Sequence, residues 1–413
     1  MPEPRTSAIP WRRNLLFASI GVVIAGVAFS LITPFLPLYL EELGVRRNLA
    51  IWSGWVFAVN ALTYSLMAPV WGTLADRHGK RVMLLRSGFG IALTYVLMAV
   101  SANQWQFLFF RAANGVLSGF IPSSLMLVAT NTPGPDLGFA LGTIQTASSV
   151  GGIMGPMVGG AAAKLLGLRP ALFFGAGLLC VAAVTAFSGT REEIARREGG
   201  PGVLAGLRAS FSQPELVSLF AVMLLVQTAL MAVQPTLPLF IADLARHDVA
   251  LVTGILFSLA GVSTALGAPL IGRIRRIDHL QAMRLGLLAA AALSSLQGLA
   301  GRVWLLGLER FLFGFANAAV LVSGNVLIAQ GSPEHLRGQV FGTLNAVSSL
   351  GTILGPILGG YAAKGLGVPS SFYLSGLLFL AGLFILRRGR VGKEAVDART
   401  WKTDKAPEQS LSV

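Results

Sequence analysis

One stretch of small and apolar residues occurs twice in this chain, at residues 142–160 and again at residues 342–360. In both copies a Gly-Pro pair precedes a terminal Gly-Gly pair. A long self-match at one fixed offset predicts two halves of similar fold. Small residues at helical spacing let apolar helices approach closely, and a proline inside bends the helix. The repeated positions of the first copy include Gly142, Gly151, Gly155, Pro156, Gly159 and Gly160.

The composition indicates a membrane protein. Of the 413 residues, 54% are hydrophobic and only 12% are charged. The net charge of +14 comes from short basic clusters between long apolar runs, which favours an anionic membrane surface over a nucleic acid as the partner. We predict an all-α polytopic membrane protein with twelve transmembrane helices in two similar sets of six. The predicted spans are 14–40, 51–74, 82–101, 105–129, 138–166, 170–189, 214–241, 249–272, 282–300, 303–329, 338–366 and 369–387.

Lysine and arginine concentrate in the loops on one side of these spans, which predicts that those loops and both termini are cytoplasmic. The predicted segments are a cytoplasmic N-terminus (1–13), an N-terminal bundle (14–189), a cytoplasmic linker (190–213), a C-terminal bundle (214–388) and a cytoplasmic tail (389–413). The single cysteine, Cys180, excludes an internal disulfide, and no two histidines have metal-ligand spacing. We expect neither a metal nor a cofactor.

A charged, glycine-containing loop follows the second predicted span. It reads Gly-Thr-Leu-Ala-Asp-Arg-His-Gly-Lys-Arg over residues 72–81. The glycines permit a tight turn, and the acid suits a helix N-terminus. Taken alone, this composition favours a simple hinge with the ordinary positive charges of a cytoplasmic loop.

The loop resembles, residue for residue, the signature of the major facilitator superfamily. The repeated glycine-proline stretch resembles the antiporter motif of its twelve-helix drug:proton antiporter branch, and residues 35–44, 51–55 and 105–108 resemble the MdtG-type multidrug transporters. The resemblance implies two six-helix bundles around a central cavity that opens to either side in turn. It also implies that Asp76 latches the outward-facing state by contacting the start of the eleventh helix. The matching loop positions include Gly72, Asp76, Arg77, Gly79, Lys80 and Arg81.

Three features depart from the family pattern. The second-half loop at residues 272–278 has no acid at the position that matches Asp76, so the latch is expected on one side only. The fourth span carries Asn114 and Leu117 where the family favours glutamine and glycine. The antiporter motif is usual in the fifth helix alone, and for its copy in the eleventh helix we favour helix packing over coupling.

Three ionisable residues lie inside the predicted spans: Arg111, Glu309 and Arg310. Intramembrane charges are costly, so all three are candidates for proton coupling. Arg111 matches the arginine that the resemblance ties to coupling. Glu309 is the only carboxylate placed well inside a span, where burial and a neighbouring arginine together set its protonation. A structural pair between Glu309 and either arginine, or a Glu309 that reaches the outer interface, explains the pattern equally well.

Uncharged polar residues on spans that the resemblance places around the cavity are candidates for substrate binding. Hydrogen bonding between helices is an equally good explanation for any one of them. Gln145 and Asn345 are repeat mates and would face each other across the pseudo-two-fold axis. The candidates are Asn60, Tyr64, Asn114, Gln145, Gln234, Asn317 and Asn345.

We expect a monomeric secondary transporter of a bacterial inner membrane that exports amphiphilic, drug-like compounds in exchange for protons. A sugar, metabolite or lysolipid transporter, including a symporter, would use the same fold. The chain lacks a Gly-Lys-Ser/Thr nucleotide loop, so we do not expect ATP to drive transport. A sensor would need a large soluble domain, and an enzyme would need clustered carboxylates, His or Cys in the spans.

Overall fold

A computed structural model describes residues 11–192, 214–245, 247–273, 278–332 and 337–388. The predicted linker at 190–213 lies almost wholly outside these residues, as do the predicted tail at 389–413 and most of the predicted N-terminus at 1–13. Within the described ranges the chain forms helices joined by short turns.

The helices of the first half are α1 (Trp11–Ile32), a short 3-10 turn (Thr33–Phe35), α2 (Leu36–Glu42), α3 (Leu49–His78), α4 (Lys80–Ala99), α5 (Gln104–Leu117), α6 (Phe120–Asn131), α7 (Gly134–Leu166) and α8 (Leu168–Gly189). Those of the second half are α9 (Pro214–Val233), α10 (Leu237–Leu244), α11 (Val249–Arg273), α12 (His279–Gln297), α13 (Val303–Gln330), α14 (Arg337–Leu366) and α15 (Ser370–Arg388).

These helices make twelve crossings, because α1–α2, α5–α6 and α9–α10 each form one interrupted span. In the described residues, ten crossings are long and apolar enough to span a membrane. The other two are α7 and α12, in which many glycine, serine or polar residues lower the mean hydropathy. The predicted all-α fold of twelve spans in two six-helix bundles is confirmed, and the chain is a multi-pass membrane protein.

Two sides of the bundle are named by the helix ends that lie there. The terminal face is the side where α1 begins at Trp11 and α15 ends at Arg388, and the opposite face is the other side. The first span starts three residues earlier than predicted, at Trp11. The added turn contains Arg12 and Arg13, and a long arginine side chain can cover apolar surface. The guanidinium carbon of Arg13 lies 5.7 Å from the centre of the Phe17 ring.

The fourth span is broken, which the sequence did not predict. Gly119 separates α5 from α6 with a φ of +139°, a backbone conformation that side chains disfavour. Arg86 donates a hydrogen bond of 3.2 Å to the carbonyl oxygen of Ser118 and so satisfies one group that the break leaves free. Pro122 stands in the first turn of α6, where its missing N–H costs no helix hydrogen bond.

Candidate transport cavity

The glycines of α7 pack against α1 inside the first half. A methyl group added at Gly151 would lie 2.6 Å from the carbonyl oxygen of Val23, and one at Gly155 would lie 2.5 Å from the Cβ of Ser30. These distances leave no room for a side chain, so glycine is what permits the close approach of the two helices.

The second copy of the motif repeats this packing between α14 and α9. A methyl group at Gly351 would lie 2.9 Å from the carbonyl oxygen of Leu224, and one at Gly355 would lie 2.6 Å from that of Thr228. The next glycine along each motif helix also faces a backbone carbonyl, Gly159 facing that of Leu31 and Gly359 facing that of Ala232. The repeat in sequence is therefore a repeat in packing.

Other positions of the same motif join the two halves at the opposite face. A methyl group at Gly160 would lie 2.8 Å from the carbonyl oxygen of Ala250 on α11. In the symmetry-related contact, a methyl group at Gly360 would lie 2.5 Å from the carbonyl oxygen of Ala50 on α3. The motif thus has two faces, one that builds each half and one that closes the seam between halves.

The prolines of the motif lie in the same seam. Gly254 of α11 packs against the carbonyl group of Pro156, and Gly54 of α3 packs against that of Pro356. One turn further along α11, the Ser258 hydroxyl donates a hydrogen bond of 2.7 Å to the backbone of α7. These contacts hold the halves together near the opposite face.

Towards the terminal face the same four helices move apart. Among the described residues, no atom of a neighbouring segment lies within 4 Å of a methyl group added at Gly72, Gly142, Gly272 or Gly342. The halves therefore meet at the opposite face and separate towards the terminal face.

A cavity of about 590 Å³ lies between the halves. Its walls come from α1 and α7 of the first half and from α9, α11, α12, α13 and α15 of the second. Two of the predicted substrate residues, Gln234 and Asn317, line it, as does Arg310. The apolar part of the wall includes Leu230, Met231, Phe257 and Phe313.

Arg310 is held at this cavity by neutral groups. Its Nε donates a hydrogen bond of 2.9 Å to the carbonyl oxygen of Leu256, and its Nη1 lies 3.5 Å from Oε1 of Gln297. The guanidinium carbon lies 5.3 Å from the centre of the Phe257 ring. Only 8% of Arg310 is exposed, and no ion pair within 4.0 Å involves it among the residues that the structure describes.

Glu309 is buried on the same helix but does not line the cavity. Its exposed fraction is 8%, and its Oε2 has no hydrogen-bond partner among the described residues. Among the residues that the structure describes, no ion pair within 4.0 Å joins Glu309 to Arg310 or Arg111.

A second cavity, of about 410 Å³, lies inside the first half. It brings together four predicted residues, Asn60, Tyr64, Arg111 and Asn114. Asn114 joins two of the others, because its Oδ1 accepts hydrogen bonds from Asn60 Nδ2 at 2.9 Å and from Arg111 Nη1 at 3.3 Å. Thr33 lines both cavities, so they adjoin at the end of α1.

The signature loop forms a charged cluster on the terminal face. Asp76 is exposed over 61% of its side chain and lies 3.6 Å from Nζ of Lys80, while Arg77 is exposed. Glu192, which follows α8, accepts hydrogen bonds from the backbone N–H groups of Lys80 at 2.9 Å and Arg81 at 2.8 Å. Glu192 thereby caps α4, which begins directly after Gly79.

The chain matches a known protein family over most of its length. The profile described as Major Facilitator Superfamily matches residues 18–296 and 249–410. The chain belongs to the Major Facilitator Superfamily. This superfamily member is 36% identical over 405 residues to Multidrug resistance protein MdtG of Enterobacter lignolyticus (strain SCF1), a match that covers 94% of this chain and 96% of that protein. The family resemblance seen in the motifs is confirmed.

Solved structures of the superfamily share the fold. The nucleoside transporter NupG superposes with a TM-score of 0.78 at 16% identity, covering 91% of this chain and 98% of that one. The human organic anion transporter MFSD10 superposes with a TM-score of 0.63 at 23% identity, covering 91% of this chain and 99% of that one.

Two predicted substrate residues of this superfamily member lie apart from both cavities. Gln145 and Asn345 are exposed on the stretches of α7 and α14 that lead to the terminal face. Neither is among the residues that line the two cavities. Their role in binding stays a prediction.

Residues that the sequence did not single out also shape the cavities. Gln297, on α12, reaches Arg310 from another helix, and Ser294 and Ser375 line the same wall. Tyr95 lines the smaller cavity and donates a hydrogen bond of 3.3 Å to the first helix. Their chemistry is ordinary for a helix end or interior, so no local pattern marks them.

Proposed function

We propose that this protein is a secondary active transporter that exports amphiphilic, drug-like compounds in exchange for protons by alternating access. The observation that carries the proposal is the cavity between the two halves, which the glycine-proline helices close at one face and leave open at the other. Alternating access needs such a site and two such seams, only one of which is closed at a time. The name of the MdtG relative supports drug export.

The proposed location is a bacterial inner membrane, with both termini in the cytoplasm. The basic residues near the helix ends of the terminal face support this orientation. The described state is then open to the cytoplasm, where an exporter loads its substrate. A monomer contains the whole cavity, and lipid, substrate and protons are the partners that the mechanism needs.

The proposed proton carrier is Glu309, with Arg111 and Arg310 as the positive groups of the coupling system. Glu309 is buried, and its Oε2 has no hydrogen-bond partner among the described residues. Such a carboxylate changes from charged to neutral when it takes a proton, which changes the free energy of each conformation. The protein then favours one direction of opening when protonated and the other when not. Each charge that crosses the membrane adds about 2.3 kcal/mol per 100 mV to the driving force.

The test is gradient-driven transport in proteoliposomes that contain the purified protein. An imposed pH gradient should drive transport of an amphiphilic dye by the wild type, and Glu309→Gln should abolish the gradient-driven part while leaving dye binding intact. Glu41→Gln is the matched control, because Glu41 is exposed at the opposite face. Unchanged gradient-driven transport in Glu309→Gln would remove Glu309 from the mechanism.

A sugar or another neutral metabolite is a second candidate substrate. Gln234, Gln297 and Asn317 present three amides to the main cavity, and amides also suit hydroxyl groups. A thermal-shift screen separates the two candidates, because a ligand that binds only the folded protein raises its melting temperature. A rise with sugars and none with amphiphiles would favour this second function.

A further inference from the structure

Arg310 is the only charged residue among those that line the main cavity in the described chain. The smaller cavity repeats the pattern, since Arg111 is its only charged lining residue. No carboxylate lines either space within the described residues. The only formal charges on the described cavity walls are therefore positive, and a positive wall charge favours anions over cations.

Within the described residues, no acidic side chain forms an ion pair with Arg310. Its two hydrogen bonds go to a backbone carbonyl and an amide oxygen, which carry no net charge. Glu309 precedes it in the chain, but adjacent residues on a helix point about 100° apart. In the described residues no ion pair within 4.0 Å reaches either side chain. A buried charge in this state is costly unless something else supplies the counter-charge.

The remaining surroundings fit an amphiphile with an acidic head. The rings of Phe257 and Phe313 and the side chain of Met231 line the cavity beside Arg310 and offer apolar contact. Asn317 lies two helical turns along α13, roughly 10 Å away by the rise of a helix, and its buried Oδ1 lacks a hydrogen-bond partner among the described residues. That oxygen is free to accept a hydrogen bond from a hydroxyl or amine on the substrate.

We propose that Arg310 and Gln297 form an anion-binding subsite that takes the carboxylate, sulfonate or phosphonate head of amphiphilic substrates. A guanidinium group presents a planar fork of donors that matches such heads, and hydrogen bonds between charged groups are the stronger kind. Gln297 accepts from one side of the guanidinium and orients it, while the aromatic wall receives the apolar part of the ligand. The subsite deepens the transport function proposed above and rests on it.

The experiment compares ligands that differ only in head group. Binding of 1-naphthoate, its neutral isostere 1-naphthamide and the cation 1-naphthylmethylammonium is measured by equilibrium dialysis on the purified full-length protein. The wild type should bind the anion about tenfold or more tightly than the amide, and the cation weakest. Arg310→Gln should remove the preference for the anion and keep affinity for the amide, and Arg310→Lys should keep part of the preference.

The control is Arg302→Gln, which removes the same charge from an exposed position just before α13. It should leave the preference for the anion unchanged. Retained binding of naphthamide shows that a variant is folded, and the lysine variant keeps the test valid if Arg310→Gln is unstable. Equal binding of anion and amide by the wild type, or an anion preference that survives Arg310→Gln, would overturn the proposal.

Binding and transport fail separately in this design. An anion preference at Arg310 without proton-driven export would contradict the proposed function and leave the subsite standing. Proton-driven export without an anion preference would contradict the subsite and leave the proposed function standing.

Discussion

At the scale of single residues, Glu192 shows how a distant acid organises the signature loop. Its carboxylate accepts two backbone N–H groups at the start of α4 and lies 3.7 Å from Nζ of Lys80, with only 6% of the side chain exposed. Asp76 lies 3.6 Å from the same Nζ, but 61% of its side chain is exposed. Glu192 therefore caps the N-terminus of α4, whereas Asp76 forms only an exposed ion pair with Lys80.

The corresponding prediction compares Glu192→Gln with Asp76→Asn. Both changes remove one negative charge near the N-terminus of α4, but only the first weakens a buried cap. We expect Glu192→Gln to destabilise the protein by about 1 kcal/mol and to lower its melting temperature. Asp76→Asn should have a much smaller effect, since solvent screens an exposed pair. Thermal unfolding in detergent is the measurement, and equal losses in the two variants would contradict the cap.

The sequence predicted the loop but not its acid partner, and the reason is distance along the chain. Glu192 is 112 positions from Lys80 and meets it only because α8 ends beside the start of α4. Gln297 and Arg310 likewise lie on different helices and meet only after folding. A sequence motif predicts residues that act close together along the chain. These pairs cannot be predicted in that way, because they depend on which helices become neighbours in the fold.

At the scale of helices, the repeated glycines separate into groups with different surroundings. Gly151 and Gly155 fill the contact with α1, Gly160 fills the contact between the halves, and Gly142 has open space around it. Hydropathy and repetition were sufficient to predict twelve spans and to pair the two motif helices. They could not show which glycines lie in the α1 contact, which lie between the halves and which have open space, because all of them fit the same small-residue pattern.

The division is tested by making one substitution at two positions of α7. Gly155→Ala places a methyl group 2.5 Å from the Cβ of Ser30, and such overpacking costs about 1–3 kcal/mol. Gly142→Ala meets no neighbour and should be neutral or stabilising, because alanine favours a helix by about 1 kcal/mol over glycine. Melting temperatures of the two variants give the comparison. A larger loss for Gly142→Ala would mean that the helix packs through its other end.

At the scale of the whole molecule, alternating access needs a balance between two shapes, and the structure describes the one whose halves meet at the opposite face. The contacts of Gly160 and Gly254 close the opposite face, while Gly142 and Gly272 stand free at the terminal face. The hydropathy pattern carries no information on this balance, since both shapes use the same twelve helices. Alternating access requires a second seam at the terminal face when the first one opens, and we expect these free glycines to form it.

A bulky residue in the closed seam should therefore shift the balance. Gly254→Leu would clash with the carbonyl group of Pro156, and overpacking of this kind costs about 1–3 kcal/mol. Because about 1.4 kcal/mol changes a population ratio tenfold, the shape that opens at the opposite face should gain about tenfold or more. Spin labels on a Cys180→Ser background, at positions 138 and 338 and at positions 166 and 366, report the width of the terminal and opposite faces. We expect the first distance to shorten and the second to lengthen.

The control is Gly272→Leu on the same helix, where space is open. It should leave the described shape in place, and matching distance changes in the two variants would rule out a seam-specific effect.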